Sequence, residues 1–169
     1  IYTVVEGQLT VVTGYPSSGK SNFVDQLMVN LGSQHDWKFA VCSFENAPET
    51  HIARLMEIRQ KKRFFEGKNQ MNKEVNNHFI FLTHQSSEPS TIDSILERLK
   101  VAVARDGVRG AVIDPYNYII MDKESSETES ISNMLTRVQS FAKAYGCHIW
   151  FVAHPAKMQR YGNELPRPD

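Results

Sequence analysis

The sequence predicts an α/β protein of three layers, α/β/α, in which helices cover both faces of a mainly parallel central sheet. Apolar runs of strand length alternate along the chain with segments whose apolar residues recur at helical spacing. The strand-like runs are continuously apolar, which is typical of strands buried on both faces. The length of 169 residues, 41% of them hydrophobic, suits one globular domain with a substantial core.

The first half of the chain contains two predicted strand and helix pairs. A strand at Leu9–Thr13 leads into a helix at 20–31, which Gly32 is expected to end. A second strand covers 38–44. The next helix is expected to start at Asn46-Ala47-Pro48-Glu49, because an asparagine cap, an early proline and an acid favour helix starts. The basic residues at its far end predict a solvated helix face, with a phosphate or subunit contact as the alternative; they are Arg59, Lys61, Lys62 and Arg63.

The second half continues the same alternation. A polar, weakly patterned segment at 66–77 predicts a loop or a short helix. The pattern then predicts, in order, a strand at 79–82, a helix from Ser90 to about Arg105, a strand at 111–114, a helix ending at Tyr145 before Gly146, and a strand at 148–153. The acidic, serine-rich stretch at 123–130 is typical of an exposed connection.

Composition and charge exclude several classes of protein. The 19 basic and 19 acidic residues give a formal net charge of zero, so the overall basic character of many nucleic-acid-binding domains is missing. The chain has no apolar run of membrane-spanning length and no signal peptide, which predicts a cytoplasmic protein. Cys42 and Cys147 lie in apolar runs and are expected to be buried thiols. The strand-like start at Ile1 predicts a piece of a longer protein.

The turn between the first strand and the first helix has the spacing of a P-loop. Gly14 and Gly19 allow successive backbone N–H groups to converge on phosphate oxygens, and the helix adds its positive dipole end. Lys20 is expected to reach the β- and γ-phosphates, and the Ser21 hydroxyl to bind Mg²⁺. The candidate nucleotide-binding residues are Gly14, Tyr15, Pro16, Ser17, Ser18, Gly19, Lys20, Ser21 and Asn22.

Polar residues follow three further predicted strands: Glu45 the second, Asp114 the fourth and His154 the fifth. The carboxyl ends of parallel strands share one edge of a sheet, where ligands bind. Asp114 suits the role of holding Mg²⁺ opposite Ser21, and Glu45 suits the role of orienting a water for attack on the γ-phosphate. His154 either donates a hydrogen bond to that phosphate or is satisfied by nearby backbone. The other histidines lack the spacing of zinc ligands.

Four segments occur in the same order as the motifs of one known family. They are Thr13-Gly14 through Ser21, Ser43-Phe44-Glu45-Asn46, Val112-Ile113-Asp114-Pro115-Tyr116-Asn117 and Phe151-Val152-Ala153-His154-Pro155. In these segments the chain resembles the motor domain of ring-shaped, DnaB-like replicative DNA helicases, and above all the Twinkle-like and phage-type primase-helicases. The resemblance implies a RecA-like P-loop NTPase fold. It also implies a hexameric ring that hydrolyses ATP with Mg²⁺, moves along single-stranded DNA and unwinds duplex DNA. The implied location is the cytoplasm of a bacterial cell or of a phage-infected host.

The resemblance also implies roles for individual residues. Glu45 would be the catalytic acid, assisted by Lys20, and Asp114 would be the Walker B carboxylate that holds the metal with Ser21. His154 would sense the γ-phosphate. The basic segment 157–167 resembles the start of the loop that contacts DNA phosphates, although its composition also fits a surface tail. The chain is expected to be truncated, since it ends before the family's arginine finger, and to be a poor motor by itself.

Two other functions remain open at this point. The same fold occurs in RecA-like recombinases and repair ATPases, which form filaments on DNA. A non-catalytic module, in which bound ATP only sets the oligomeric state, is disfavoured by the presence of both Glu45 and Asp114. A small-molecule kinase is disfavoured further, because no arginine-rich lid segment follows the later strands.

Overall fold

The computed structural model describes residues 2–15, 17–44, 47–61, 75, 77–83, 91–114, 119 and 126–153. Strands and helices alternate along these residues, which confirms the predicted α/β fold. The elements are β1 (Leu9–Thr13), α1 (Lys20–His35), β2 (Lys38–Ser43), α2 (Pro48–Gln60), β3 (Phe79–Phe81), α3 (Ile92–Asp106), β4 (Val108–Asp114), α4 (Glu127–Tyr145) and β5 (His148–Ala153).

The strands form one sheet with the order β1-β5-β4-β2-β3. All pairings among the described strands are parallel, as predicted. The last residues of β2 and β4, Ser43 and Asp114, are register partners, so these two strands end side by side. β5 lies between β1 and β4, and α1 contacts β5, β4 and β2. The helix that follows β1 therefore crosses over β5 to reach β4.

Side chains of each strand alternate between two apolar cores, one on each face of the sheet. In β4, Val112 packs with α1 and α2 in one core, whereas Ala111 and Ile113 pack with α3 and α4 in the other. Phe39 and Trp150 are the large buried aromatics of the α1/α2 face. The two covered faces confirm the predicted three-layer arrangement.

Gly110 makes room for this aromatic packing. A Cβ atom on Gly110 would lie 2.6 Å from Cδ1 of Phe39 and 3.0 Å from Cζ3 of Trp150. Both distances are shorter than a van der Waals contact, and the two rings are large and fully buried. A glycine in the central strand is therefore required by packing.

The predicted end of α1 at Gly32 is wrong. The helix continues to His35, and Asp36 adopts the left-handed conformation with φ of 55° while its N–H donates to the Gly32 carbonyl. Gly32 is buried inside the helix, where an added Cβ would lie 3.4 Å from the ring of His78. The glycine serves close packing of α1 against the chain before β3, and an aspartate takes the terminating position.

The other helix boundaries follow the predictions with smaller differences. α2 is capped by Ala47, with Pro48 in its first turn, so the predicted Asn46 cap is wrong; Asn46 itself lies outside the described residues. α3 begins after its Thr91 cap, slightly later than the predicted start at Ser90, and ends at Asp106, one residue beyond the predicted Arg105. Ser126 caps α4, so the last part of the stretch predicted as a connection is helical. Most of the segment predicted as a loop or short helix at 66–77 lies outside the described residues.

Cys42 and Cys147 are buried free thiols, as predicted. Burial raises the pKa of each thiol to about 12, although the nearby Arg98 guanidinium acts in the opposite direction at Cys42. Both therefore stay protonated at neutral pH and do not serve as nucleophiles. No helix in the described parts of the chain is long and apolar enough to cross a membrane.

His148, at the start of β5, ties the amino-terminal segment to the sheet. Its side chain is buried, and its Nδ1 donates to the Val5 carbonyl at 2.7 Å. Its Nε2 lies 3.1 Å from Oγ1 of Thr10, and since Nδ1 carries the hydrogen, Nε2 is the acceptor in the neutral ring. Burial lowers the pKa of His148, with the Val5 hydrogen bond opposing it.

We expect this histidine to make stability fall as the pH falls. Because the pKa of His148 is lower in the folded than in the unfolded chain, the unfolded chain binds more protons once the pH drops below the ordinary histidine value. The free energy of unfolding, measured with urea, should be smaller at about pH 5.5 than at about pH 8. His148→Asn, which keeps an N–H donor for Val5, should weaken that pH dependence. If the free energy of unfolding changes between the two pH values by the same amount in the variant as in the parent, the assignment is contradicted.

Candidate functional site

The turn between β1 and α1 has the backbone conformation that a phosphate-binding loop needs. Gly14 and Gly19 adopt φ of 152° and 87°, and Ser17 adopts φ of 60°. A Cβ on Gly14 would lie 3.1 Å from Oγ of Ser18, so a side chain there would fill the inside of the turn. The N–H of Ser18 donates to the Tyr15 carbonyl at 3.2 Å and closes the turn.

The amino end of α1 is open to an anion. Gly19 occupies the N-cap position, and no side chain of the described residues caps the helix there. Its first turn contains no acidic residue, in contrast to α3, where Thr91 caps the helix and Asp93 lies in the first turn. The first N–H groups and the positive end of the helix dipole are therefore available to phosphate oxygens.

Lys20 lies at the centre of the turn. Its side chain is only 8% exposed, and its Nζ donates to the carbonyls of Gly14 and Tyr15, at 2.7 and 2.9 Å. The loop backbone therefore holds the ammonium group within the turn whose N–H groups bind phosphate in P-loop proteins. The predicted contact of Lys20 with the terminal phosphates stays a prediction.

The structure brings Ser21 and Asp114 together, although they are 93 positions apart in the sequence. The Ser21 hydroxyl donates to Oδ2 of Asp114 at 2.5 Å, and Asp114 is 3% exposed. Alternation along β4 places Asp114 on the same face as Val112, which is the face that α1 covers. A buried carboxylate beside a hydroxyl is an oxygen-only donor set, which fits Mg²⁺.

The backbone next to Asp114 also holds the chain that leaves β2. The N–H of Phe44 donates to the Asp114 carbonyl at 3.0 Å, one residue beyond the end of the β2 ladder. Glu45 follows Phe44 directly in the sequence. Glu45, Pro16 and His154 lie outside the described residues, so the roles predicted for them stay predictions, as does the contact of segment 157–167 with DNA. Tyr15 and Asn22 are exposed at either side of the turn.

A buried ionic cluster connects α1 with α2, and the sequence analysis missed it. Asp25 of α1 and His51 of α2 are each 1% exposed. His51 Nε2 donates to Oδ1 of Asp25 at 2.8 Å, and Arg54 Nε lies 2.6 Å from Oδ2 of the same carboxylate. The sequence pattern could have shown that Asp25 is buried, because it lies beside Val24 and three residues before Met28 on the apolar face of the helix.

Strand, amide-lined turn, helix and buried strand-end acid together define a P-loop nucleotide-binding domain. The chain belongs to the family described as AAA domain, whose sequence profile matches residues 2–160. It is 41% identical over 181 aligned residues to the Twinkle homolog protein, chloroplastic/mitochondrial, of Arabidopsis thaliana. These matches and the fold confirm the predicted resemblance to Twinkle-like, DnaB-like helicase domains with a RecA-like fold. The alignment covers 98% of this chain and 26% of that relative, so the chain spans about a quarter of the relative's length.

We expect the Lys20 side chain to contribute strongly to nucleotide affinity. Lys20→Met keeps the apolar stem and removes the charge, so binding of a fluorescent ATP analogue should weaken roughly 10- to 100-fold, the range for a hydrogen bond to a charged group. Lys100→Met is the matched control, because Lys100 lies on α3, away from the P-loop in the sequence, and pairs with Glu97 at 3.8 Å. Equal affinities of the Lys20→Met and Lys100→Met variants would contradict the assignment.

Proposed function

We propose that this domain is the ATP-hydrolysing motor of a replicative DNA helicase. The observation that carries the proposal is the 2.5 Å contact between Ser21 of the P-loop helix and the buried Asp114 at the end of β4. It joins the two parts of a P-loop hydrolase site, the phosphate-binding turn and the metal-binding acid. The sequence similarity to a Twinkle homolog supports the choice of a helicase over other P-loop enzymes.

Each part of the site has a role in this mechanism. Backbone N–H groups of the glycine-containing turn bind the phosphates of ATP, and Lys20 holds its ammonium group against the β- and γ-phosphates. Ser21 and Asp114 would hold Mg²⁺, which supplies positive charge that offsets charge on the phosphate oxygens.

Glu45 accepts a hydrogen bond from the attacking water and aligns it with the γ-phosphorus. The water oxygen forms a bond to that phosphorus while the bond from the phosphorus to the bridging oxygen breaks. The proton of the water passes through Glu45 to the phosphate, and ADP and inorganic phosphate leave. His154 donates to the γ-phosphate and passes its presence or loss to the segment that follows. Positioning and charge stabilisation carry most of the rate in such a reaction.

We extend this proposal to the assembly and the cellular location of the full-length protein. The full-length protein forms a ring, expected to be hexameric, in which ATP binds at subunit interfaces and single-stranded DNA passes through the centre. The cytoplasmic location predicted from the sequence stays a prediction. The name of the Arabidopsis relative refers instead to chloroplasts and mitochondria.

The function is tested with the full-length protein. Release of inorganic phosphate from ATP should increase when single-stranded DNA is added, and a forked duplex should be unwound only with ATP and Mg²⁺. Electron microscopy should show closed rings. Filaments on DNA without unwinding would indicate a recombinase. Tight ATP binding with no phosphate release, with or without DNA, would indicate a non-catalytic module; either result would overturn the proposal.

We expect Glu45→Gln to separate binding from hydrolysis. The amide keeps the size of the side chain but is a poor acceptor for the proton of the attacking water, so the hydrolysis rate should fall by about 10² or more. The affinity for the ATP analogue should stay within about twofold of the parent. Glu49→Gln, on the exposed first turn of α2, is the matched control and should keep the parent rate. Hydrolysis at the parent rate in Glu45→Gln would show that another group orients the water.

A further inference from the structure

We propose that Asp25, His51 and Arg54 form a positioning cluster that sets where Glu45 lies relative to the P-loop. By this inference the three side chains control the rate of ATP hydrolysis and leave nucleotide affinity nearly unchanged. It rests on the proposed function, because it takes Glu45 as the residue that orients the attacking water.

The cluster fixes α2 on α1, the helix that follows the P-loop. Asp25 lies five residues after Lys20 on α1, and both of its carboxylate oxygens face side chains of α2. One is His51 at 2.8 Å and the other is Arg54 at 2.6 Å. His51 and Arg54 lie three positions apart on one face of α2, so the carboxylate is held at two points along that helix. Neither sliding nor rotation of α2 can preserve both contacts.

In turn, α2 holds one end of the short segment that contains Glu45. Glu45 and Asn46 are the residues between Phe44 and Ala47. On one side, the N–H of Phe44 donates to the Asp114 carbonyl at 3.0 Å. On the other, the N–H of His51 donates to the Ala47 carbonyl at 3.1 Å. His51 therefore holds Ala47 with its backbone while its ring holds Asp25, and Glu45 belongs to a two-residue connection between two anchors.

Apolar contacts also join these two helices. Leu55 and Met56 of α2 already pack in the same core as Val24 and Met28 of α1. A buried ion pair adds little net stability compared with apolar side chains of similar volume. Its distinctive property is direction, since the hydrogen bond from His51 to Oδ1 and the ion pair of Arg54 with Oδ2 define the relative position of the two helices more narrowly than apolar contact does. The cluster begins in the first turn of α2, at His51, six positions after Glu45 in the sequence.

A double-mutant cycle in the full-length protein tests the inference. Single-turnover ATP hydrolysis with single-stranded DNA is measured for the parent, Asp25→Asn, Glu45→Gln and the double variant, with Lys20→Met as the background signal. Asp25→Asn should lower the parent rate about tenfold or more, because a misplacement of about 1 Å has effects of this size. In the Glu45→Gln background the same substitution should change the rate by less than about twofold, since the carboxylate that it would misplace is gone.

Further variants separate positioning from loss of stability. His51→Gln retains an N–H donor close to the place of Nε2 and should keep the rate within about threefold of the parent. His51→Leu removes the donor and should match Asp25→Asn. Ser33→Ala removes another contact between α1 and α2, the hydrogen bond from Arg59 to Oγ of Ser33, and should leave the rate unchanged. Affinity for the ATP analogue should stay within about twofold in all of these variants.

The outcomes distinguish this inference from the proposed function. Asp25→Asn at the parent rate, beside a slow Glu45→Gln, would overturn the positioning role alone. An equal loss in both backgrounds, or a matching loss of nucleotide affinity, would show that Asp25 acts through stability or binding. If Asp25→Asn does not fold, Arg54→Met takes its place in the cycle with the same expectations. Glu45→Gln at the parent rate would overturn the proposed hydrolysis mechanism and this inference with it.

Discussion

Asp114 is the residue at which the central sheet, the P-loop helix and the segment after β2 meet. Its side chain accepts a hydrogen bond from Ser21, and its backbone carbonyl accepts one from Phe44. A carboxylate that is 3% exposed needs such partners, because burial of an uncompensated charge is costly. The parallel register of β4 with β2 and the crossing of α1 over β5 are both needed to bring these partners together.

The two faces of the sheet differ in the kinds of groups that they carry. Alternation along the strands directs the polar strand-end groups of β4 to the face covered by α1 and α2. The described groups of the site, together with the ionic cluster around Asp25, therefore lie on this side. The opposite core, under α3 and α4, is built from aliphatic, aromatic and thiol groups such as Leu99, Phe141 and Cys147. Its helices begin and end at conventional caps, Thr91 and Ser126 at the start and Gly107 and Gly146 at the end.

Sequence patterns predicted the parts of this domain whose signals are local. The P-loop was recognisable because its glycines, Lys20 and Ser21 lie within eight positions, and Asp114 because it follows an apolar run. The order of the strands was not predictable, since β5 is last in the chain but lies second in the sheet. Gly32 was misread because close packing and helix termination both favour glycine. The cluster of Asp25 with His51 joins residues 26 positions apart, which no local pattern reports.

The hydrogen bonds of Lys20 have a consequence for how ATP and this loop interact. The ammonium group is already satisfied by two carbonyl oxygens of its own turn. Phosphate therefore competes with the protein backbone for the same donor, and the measured affinity reflects the difference between two sets of partners. Such an exchange lets a bound nucleotide depart without leaving a buried cation unpaired.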